Sequence, residues 1–115
     1  MTNKNVNPDL LRLKDMLQAI DDIEDIAFKT NSSRRDLLAT AYSIAIIGEA
    51  ASALSKGLKE QHVQIPWRDI ISMRHKIVHE YGKVEIPIVL AVVTDDIPLL
   101  KKQVMAILAS LESKP

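Results

Sequence analysis

The chain has 115 residues, of which 47% are hydrophobic and 26% are charged, a balance typical of one globular domain with a buried core. It contains no cysteine, which excludes disulfide bonds, thiolate metal sites and a cysteine nucleophile. Fifteen basic and fifteen acidic residues cancel, so no overall field attracts a polyanion. Because no apolar signal segment and no stretch long enough to span a membrane is present, we expect a soluble cytoplasmic protein.

Two helices are predicted in the first half of the chain. Asn7 and Pro8 supply a cap and a first-turn proline, and apolar residues then recur every three to four positions, which predicts a helix over about residues 8–29. After the polar segment TNSS, residues 34–57 are apolar on nearly every side and predict the most buried helix, ending at a glycine. Glu49 lies in this apolar segment, where a carboxylate must be paired or exposed in a groove, and a structural salt bridge is the favoured interpretation.

Two further helical segments are predicted in the second half. Pro66 suits the first turn of a third helix, Trp67 is expected to anchor that helix in the core, and Gly82 should lie near its end. Residues 85–115 continue a helical pattern that is interrupted by Pro98. This last segment should therefore form one kinked helix or two abutting ones.

Four to five antiparallel helices joined by short loops predict an all-α bundle. The segment IPIVLAVV is the only one that could form a strand, and a lone strand would have no partner. Since no internal repeat or linker divides the chain, we expect residues 1–115 to form a single domain.

The segment MRHKIVHEYG, residues 73–82, concentrates ionisable side chains. His75 and His79 are four positions apart and would share one helix face, which is half of the geometry of a zinc site. The chain offers neither an HExxH pattern nor a cysteine to complete that site, so we predict no metal and no cofactor. An imidazole beside the guanidinium of Arg74 suits acid–base chemistry on a phosphate instead. From spacing alone, a structural or solvated role for these side chains is the favoured interpretation.

The same segment resembles the HepT-like branch of the HEPN-domain ribonucleases. Arg74, His79 and Tyr81 match the R-x-x-x-x-H-x-Y motif of that branch, and His75 occupies the polar position after the arginine. The segments IGEAA, IPWRDI and DDIPLL extend the resemblance over roughly residues 10–110.

The resemblance implies an all-helical, two-fold homodimer whose paired motifs lie at the subunit interface. It implies that the protein is the toxin of a prokaryotic type VII toxin–antitoxin pair and acts as a metal-independent endoribonuclease. It also implies that a minimal nucleotidyltransferase (MntA-like) antitoxin neutralises the toxin by attaching adenylate to Tyr81. On this hypothesis His79 is the general base for the ribose 2′-hydroxyl or the acid for the leaving oxygen, Arg74 stabilises charge on the scissile phosphate, and His75 positions the RNA. The alternative is a non-catalytic HEPN module that binds a nucleotide or a partner protein.

Helical periodicity adds a geometric constraint on the motif. On an ideal helix Arg74 and His79 would be separated by about 140°. Either the last turn unwinds toward Gly82, or the two groups converge with those of a second copy across a two-fold axis. The sequence leaves both alternatives open.

Overall fold

Helices dominate residues 7–78 and 83–113, which are the residues that a computed structural model of the chain describes. They are α1 (Pro8–Ile26), α2 (Arg34–Ser52), α3 (Lys56–Gln61), α4 (Trp67–Ile77), α5 (Ile86–Ala91), a π-helical turn (Val92–Asp96) and α6 (Ile97–Glu112). The predicted all-α class is confirmed. None of the helices in these two ranges is both long and apolar enough to cross a membrane.

The first two helices begin where their capping residues predict. The Asn7 side chain accepts a hydrogen bond of 2.9 Å from the backbone N–H of Asp9. The Ser33 hydroxyl accepts one of 3.1 Å from the backbone N–H of Asp36. Each cap satisfies a backbone donor that the helix itself cannot pair. The first helix ends slightly earlier than predicted, because Ala27 adopts a left-handed conformation with φ of 51°.

The predicted end of the second helix at Gly57 is wrong. The helix ends at Ser52, and Gly57 lies inside the short α3. The hydroxyl of Ser55 caps α3 by accepting from the N–H of Leu58 at 3.2 Å. Asp9 in turn accepts hydrogen bonds from the backbone N–H of Ser55 at 2.7 Å and from its hydroxyl at 2.6 Å. This link between the beginnings of α1 and α3 is a tertiary contact that local sequence does not reveal.

One continuous hydrophobic core joins the helices, with α2 packed against both α1 and α4 and with α6 packed against α1. The largest fully buried side chains are Leu13, Met16, Ile20, Ile23, Thr40, Ile44, Ile47, Ile65, Ile77, Val89 and Val104. α2 contributes many buried residues, as predicted, but its outer face is open. Leu38 and Tyr42 on that face are 42% and 69% exposed.

Gly48 permits a close approach between α2 and α4. A Cβ atom at this position would lie 3.1 Å from the backbone oxygen of Ile71 and 3.2 Å from that of Ile70. Both distances are shorter than an ordinary van der Waals contact between carbon and oxygen. The glycine therefore sets the distance between the two helices that carry the candidate site.

The beginning of α4 is anchored in the core, as predicted for Trp67. This side chain is 9% exposed, and its indole N–H donates a hydrogen bond of 3.0 Å to the backbone oxygen of His62. Ile70, Met73 and Ile77 continue the buried face along the helix.

The predicted continuation of this helix to near Gly82 is wrong. α4 ends at Ile77, and Val78 is extended, with φ of −107° and ψ of 110°. Val78 forms an isolated antiparallel bridge with Val84. The rest of the predicted turn, residues 79–82 with Gly82, lies outside the described residues.

The final segment forms one uninterrupted helical run from α5 through the π-helical turn into α6. The turn ends at Asp96, two residues before Pro98. A proline has no N–H to donate and its ring crowds the carbonyl four residues earlier, so a wider turn at this point relieves both problems. The continuous run favours one helix over two abutting ones, the kink stays a prediction, and IPIVLAVV is helical rather than a strand.

Candidate active site

Arg74 lies in the last turn of α4 with its side chain 50% exposed. Its Nη1 donates a hydrogen bond of 2.9 Å to Oε1 of Glu49, whose side chain is 65% exposed. The salt bridge predicted for Glu49 is confirmed, and it joins α2 to α4. His75 and Lys76 follow Arg74, so three basic or titratable side chains lie at the negative end of the α4 dipole.

An open groove of about 640 Å³ lies on one side of Arg74, between α1 and α2. We call it the α1–α2 groove, and it is lined by Arg12, Asp15, Gln18, Ala19, Asp22, Tyr42, Ala45, Ile46, Glu49, Ala50, Ala53 and Arg74. Its lining includes three carboxylates and two guanidinium groups. One of the latter, Arg12, lies 3.3 Å from the Asp15 carboxylate. This side of Arg74 is therefore a poor place for a phosphate.

A second groove, of about 440 Å³, also borders Arg74. We call it the α2–α4 groove, and it is lined by Leu38, Ala41, Tyr42, Ala45, Arg74, His75, Val78 and Val84. Among these described lining residues there is no carboxylate. Arg74 and Tyr42 line both grooves, whereas Glu49 lines only the first and His75 only the second.

The structure thus brings two of the predicted site residues together, because Arg74 and His75 line the same groove. His79 and Tyr81 lie outside the described residues. The angle of about 140° that an intact helix would place between Arg74 and His79 does not apply, since α4 ends at Ile77. In sequence, His79 and Tyr81 fall between Val78 and Val84, which pair with each other and line the α2–α4 groove.

The described side chains do not cluster as metal ligands. Over residues 7–78 and 83–113, no group of three or more His, Asp or Glu side chains is placed to hold a metal ion. The pair formed by His75 and His79 is not covered by this observation, because His79 lies outside those ranges.

Two residues of the site were not recognised from the sequence. Glu49 stood out as a carboxylate in an apolar segment, but its partner Arg74 is 25 positions away and could not be named before the packing of α2 on α4 was known. Tyr42 was not singled out within the apolar segment of α2, yet it is largely exposed and lines both grooves.

Comparison with known proteins places this geometry in context. A family model described as "Ribonuclease HepT-like" matches residues 15–107. The matched range includes α2, α4 and Arg74, the arginine that lines both grooves. No solved structure matches the chain.

Several curated proteins are similar in sequence. The chain is 44% identical over 66 residues to a protein of Caldanaerobacter subterraneus subsp. tengcongensis that is provisionally named an RNase, covering 57% of this chain and 59% of that protein. It is 34% identical over 94 residues to a protein of Thermococcus cleftensis named as a probable ribonuclease HepT, and the match covers 77% of this chain and 86% of that protein. It is 30% identical over 109 residues to a Methanocaldococcus jannaschii protein provisionally named an RNase, covering 89% and 88%. The match thus spans less than two thirds of the first of these relatives.

Proposed function

Because this chain belongs to the HepT-like ribonuclease family, we propose that it is a metal-independent endoribonuclease that acts as the toxin of a cytoplasmic type VII toxin–antitoxin pair. The observation that carries the proposal is the placement of Arg74 and His75 along one groove that has no described carboxylate in its lining. A guanidinium in such a groove can donate paired hydrogen bonds to phosphate oxygens.

The reaction we propose is a transesterification within the RNA. The ribose 2′-oxygen attacks the adjacent phosphorus, the bond from phosphorus to the 5′-oxygen breaks, and the products carry a 2′,3′-cyclic phosphate and a 5′-hydroxyl. His79 removes the proton from the 2′-hydroxyl or delivers one to the leaving 5′-oxygen. Arg74 stabilises the negative charge that develops on the phosphate, and His75, on the same groove, positions the RNA.

The outer face of α2 supports a homodimer as the active form. Leu38 and Tyr42 are exposed beside the α2–α4 groove, and Val78 at its edge is 38% exposed. A two-fold axis near this face would bury these apolar side chains and bring two copies of the motif segment to one cleft. Light scattering at micromolar concentration should give the mass of a dimer. Tyr42→Asp should give a monomer, and a monomeric wild type would contradict the proposal.

Neutralisation is proposed to occur on Tyr81. Its phenolic oxygen attacks the α-phosphorus of ATP in a reaction catalysed by an MntA-like nucleotidyltransferase, and pyrophosphate leaves. The adenylate would add a negatively charged phosphodiester and a nucleoside at Tyr81, two positions after His79 in the sequence. Its phosphate would compete with RNA for Arg74. Mass spectrometry after co-expression with the antitoxin should find adenylate on the Tyr81 peptide. A Tyr81→Phe toxin that the antitoxin neutralises as well as wild type would refute this role.

The proposed activity can be tested directly on purified protein. Incubation with total RNA should give fragments with 2′,3′-cyclic phosphate ends, both with and without a chelator, whereas a 2′-deoxy strand of the same sequence should stay intact. His79→Ala should abolish cleavage without changing the melting temperature. Inhibition by the chelator would refute metal independence, and RNA binding without cleavage would instead support the non-catalytic HEPN module.

A further inference from the structure

Glu49 contacts the proposed catalytic arginine and lines the α1–α2 groove, whereas His75 lines the α2–α4 groove. We propose that Glu49 is a positioning residue, whose carboxylate holds the Arg74 guanidinium so that its donors face the α2–α4 groove, from which the RNA phosphate enters. This inference rests on the proposed ribonuclease function and adds a residue to its site.

The first argument is the arrangement of donors. A guanidinium carries five N–H donors in a planar fork, so it can bind two oxyanions at once. Glu49 accepts from Nη1 of Arg74 at 2.9 Å and lines only the α1–α2 groove. The contact therefore engages one edge of the guanidinium from that groove. Arg74 also lines the α2–α4 groove, where a phosphate can reach its remaining donors.

The second argument is electrostatic. The α1–α2 groove holds the carboxylates of Asp15 and Asp22 in addition to Glu49, whereas no carboxylate is among the described residues that line the α2–α4 groove. A phosphate is therefore repelled on the first side and accepted on the second. The salt bridge occupies one edge of the guanidinium with one of these carboxylates and limits how the side chain turns, so the other donors stay available on the α2–α4 groove.

The third argument is the backbone frame. At Gly48, the residue before Glu49, α2 comes so close to the carbonyl oxygens of Ile70 and Ile71 that a Cβ atom would lie 3.2 and 3.1 Å from them. The contact that sets the distance between α2 and α4 is thus close in sequence to both members of the salt bridge. On α2 it lies one residue before Glu49, and on α4 it lies three residues before Arg74. Because an exposed ion pair contributes only about 0–1 kcal/mol to stability, holding the fold together is a weak reason for a carboxylate in this apolar segment. Its effect on Arg74 orientation is the larger consequence.

The same contact could instead inhibit, with Glu49 competing against the RNA phosphate for Arg74. The two roles predict opposite signs. If Glu49 positions Arg74, its removal lowers kcat. If Glu49 competes, its removal raises kcat/KM, because the arginine becomes available.

Kinetics of Glu49→Gln on a labelled RNA oligonucleotide separates these roles. This substitution keeps the shape of the side chain and removes its charge. We expect kcat to fall about ten- to a hundredfold, the range associated with a misplaced catalytic group, while KM stays the same or falls because one negative charge near the phosphate is gone. Glu60→Gln makes the same change on α3, outside both grooves, and should leave both constants unchanged. A rise in kcat/KM for Glu49→Gln would overturn the proposal.

The same substitution made in an Arg74→Lys protein tests whether Glu49 acts by orienting the planar guanidinium. A lysine at position 74 keeps the charge but has no planar fork to orient. In Arg74→Lys, adding Glu49→Gln should change the cleavage rate by less than about twofold. An equal loss in both backgrounds would mean that Glu49 does not act through Arg74.

Side-chain NMR keeps this inference testable apart from catalysis. The Arg74 guanidinium nitrogen signals should show hindered rotation in the wild type and free rotation in Glu49→Gln, without any RNA present. If the wild type fails to cleave RNA but the signals behave in this way, the proposed function fails while the contact stands. If the signals are identical in the two proteins, the positioning role is refuted whether or not RNA is cut.

Discussion

The two ends of α4 differ in what they contact. At its beginning, Trp67, Ile70 and Met73 are buried in the core, and the tryptophan N–H is hydrogen bonded to the chain that precedes the helix. At its end, Arg74 and His75 are exposed along a groove. The comparison teaches that the two ends of one helix have different environments: its first two turns fix its position against α2, and its last turn presents side chains to the α2–α4 groove. Substitutions at the first end should cost stability, and those at the second should cost activity.

The largest effect on stability is expected at Trp67. Trp67→Ala removes a buried indole and one of the two hydrogen bonds that the backbone oxygen of His62 accepts, so the free energy of unfolding should fall by about 3–5 kcal/mol. Urea denaturation followed by circular dichroism measures this loss. Trp67→Phe keeps most of the apolar volume and should lose clearly less. A change below about 1 kcal/mol in Trp67→Ala would show that the beginning of α4 is not the anchor.

A smaller effect distinguishes the two described glycines. An Ala Cβ at Gly48 would press on the carbonyl oxygens of Ile70 and Ile71, so Gly48→Ala should lower the free energy of unfolding by about 1–2 kcal/mol despite the better helix propensity of alanine. A Cβ atom at Gly57 would have no neighbouring atom within 4 Å, so Gly57→Ala should raise the free energy of unfolding by up to about 0.5–1 kcal/mol. Thermal unfolding of the two variants side by side tests this. Equal shifts in the same direction would contradict a tight contact between α2 and α4.

The smallest effect is expected far from α4, at the ion pair between α6 and α1. The Glu24 carboxylate accepts a hydrogen bond of 2.9 Å from Lys101, and this hydrogen bond raises the pKa of the lysine above its ordinary value of 10.5. Desolvation opposes the rise, and the negative charges of Glu24 and Asp21 add to it. An interaction that raises a lysine pKa contributes its full stabilisation of the fold at pH values below the ordinary pKa. This stabilisation is lost as the pH rises through the raised pKa.

The difference in melting temperature between wild type and Lys101→Met should therefore be small, constant from about pH 7 to pH 9, and reduced above the ordinary lysine pKa. The RNA cleavage rate should not change, because neither Lys101 nor Glu24 lines the grooves beside Arg74. A difference that grows with pH above that value would contradict the assigned sign.

Local sequence signals predicted the beginnings of helices better than their ends. Asn7 and Ser33 cap α1 and α2 through hydrogen bonds within three residues, which a sequence pattern can capture. The end of α2 was misplaced because Ser55 starts a new helix with help from Asp9, 46 positions away. The end of α4 was misplaced because Val78 pairs with Val84 instead of extending the helix.

The candidate site shows the same division. Its residue types at positions 74 and 75 were identified from the motif, since their spacing and chemistry are written in the sequence. The partner of Arg74 was not, because the contact with Glu49 depends on how closely α2 packs against α4. The exposure of Tyr42 was missed for a similar reason: an apolar helix shows which residues prefer burial, but not which of its faces is left uncovered.

The most direct test of the account compares Arg74→Ala with Arg68→Ala in RNA cleavage and in thermal unfolding. Both arginines are exposed on α4 and both substitutions remove one positive charge, but only Arg74 lines the grooves. We predict that Arg74→Ala lowers the cleavage rate by about 100- to 1,000-fold with an unchanged melting temperature, and that Arg68→Ala cleaves like the wild type. Equal cleavage by the two variants, or a loss in Arg74→Ala that follows unfolding, would contradict the assignment of chemistry to the end of α4.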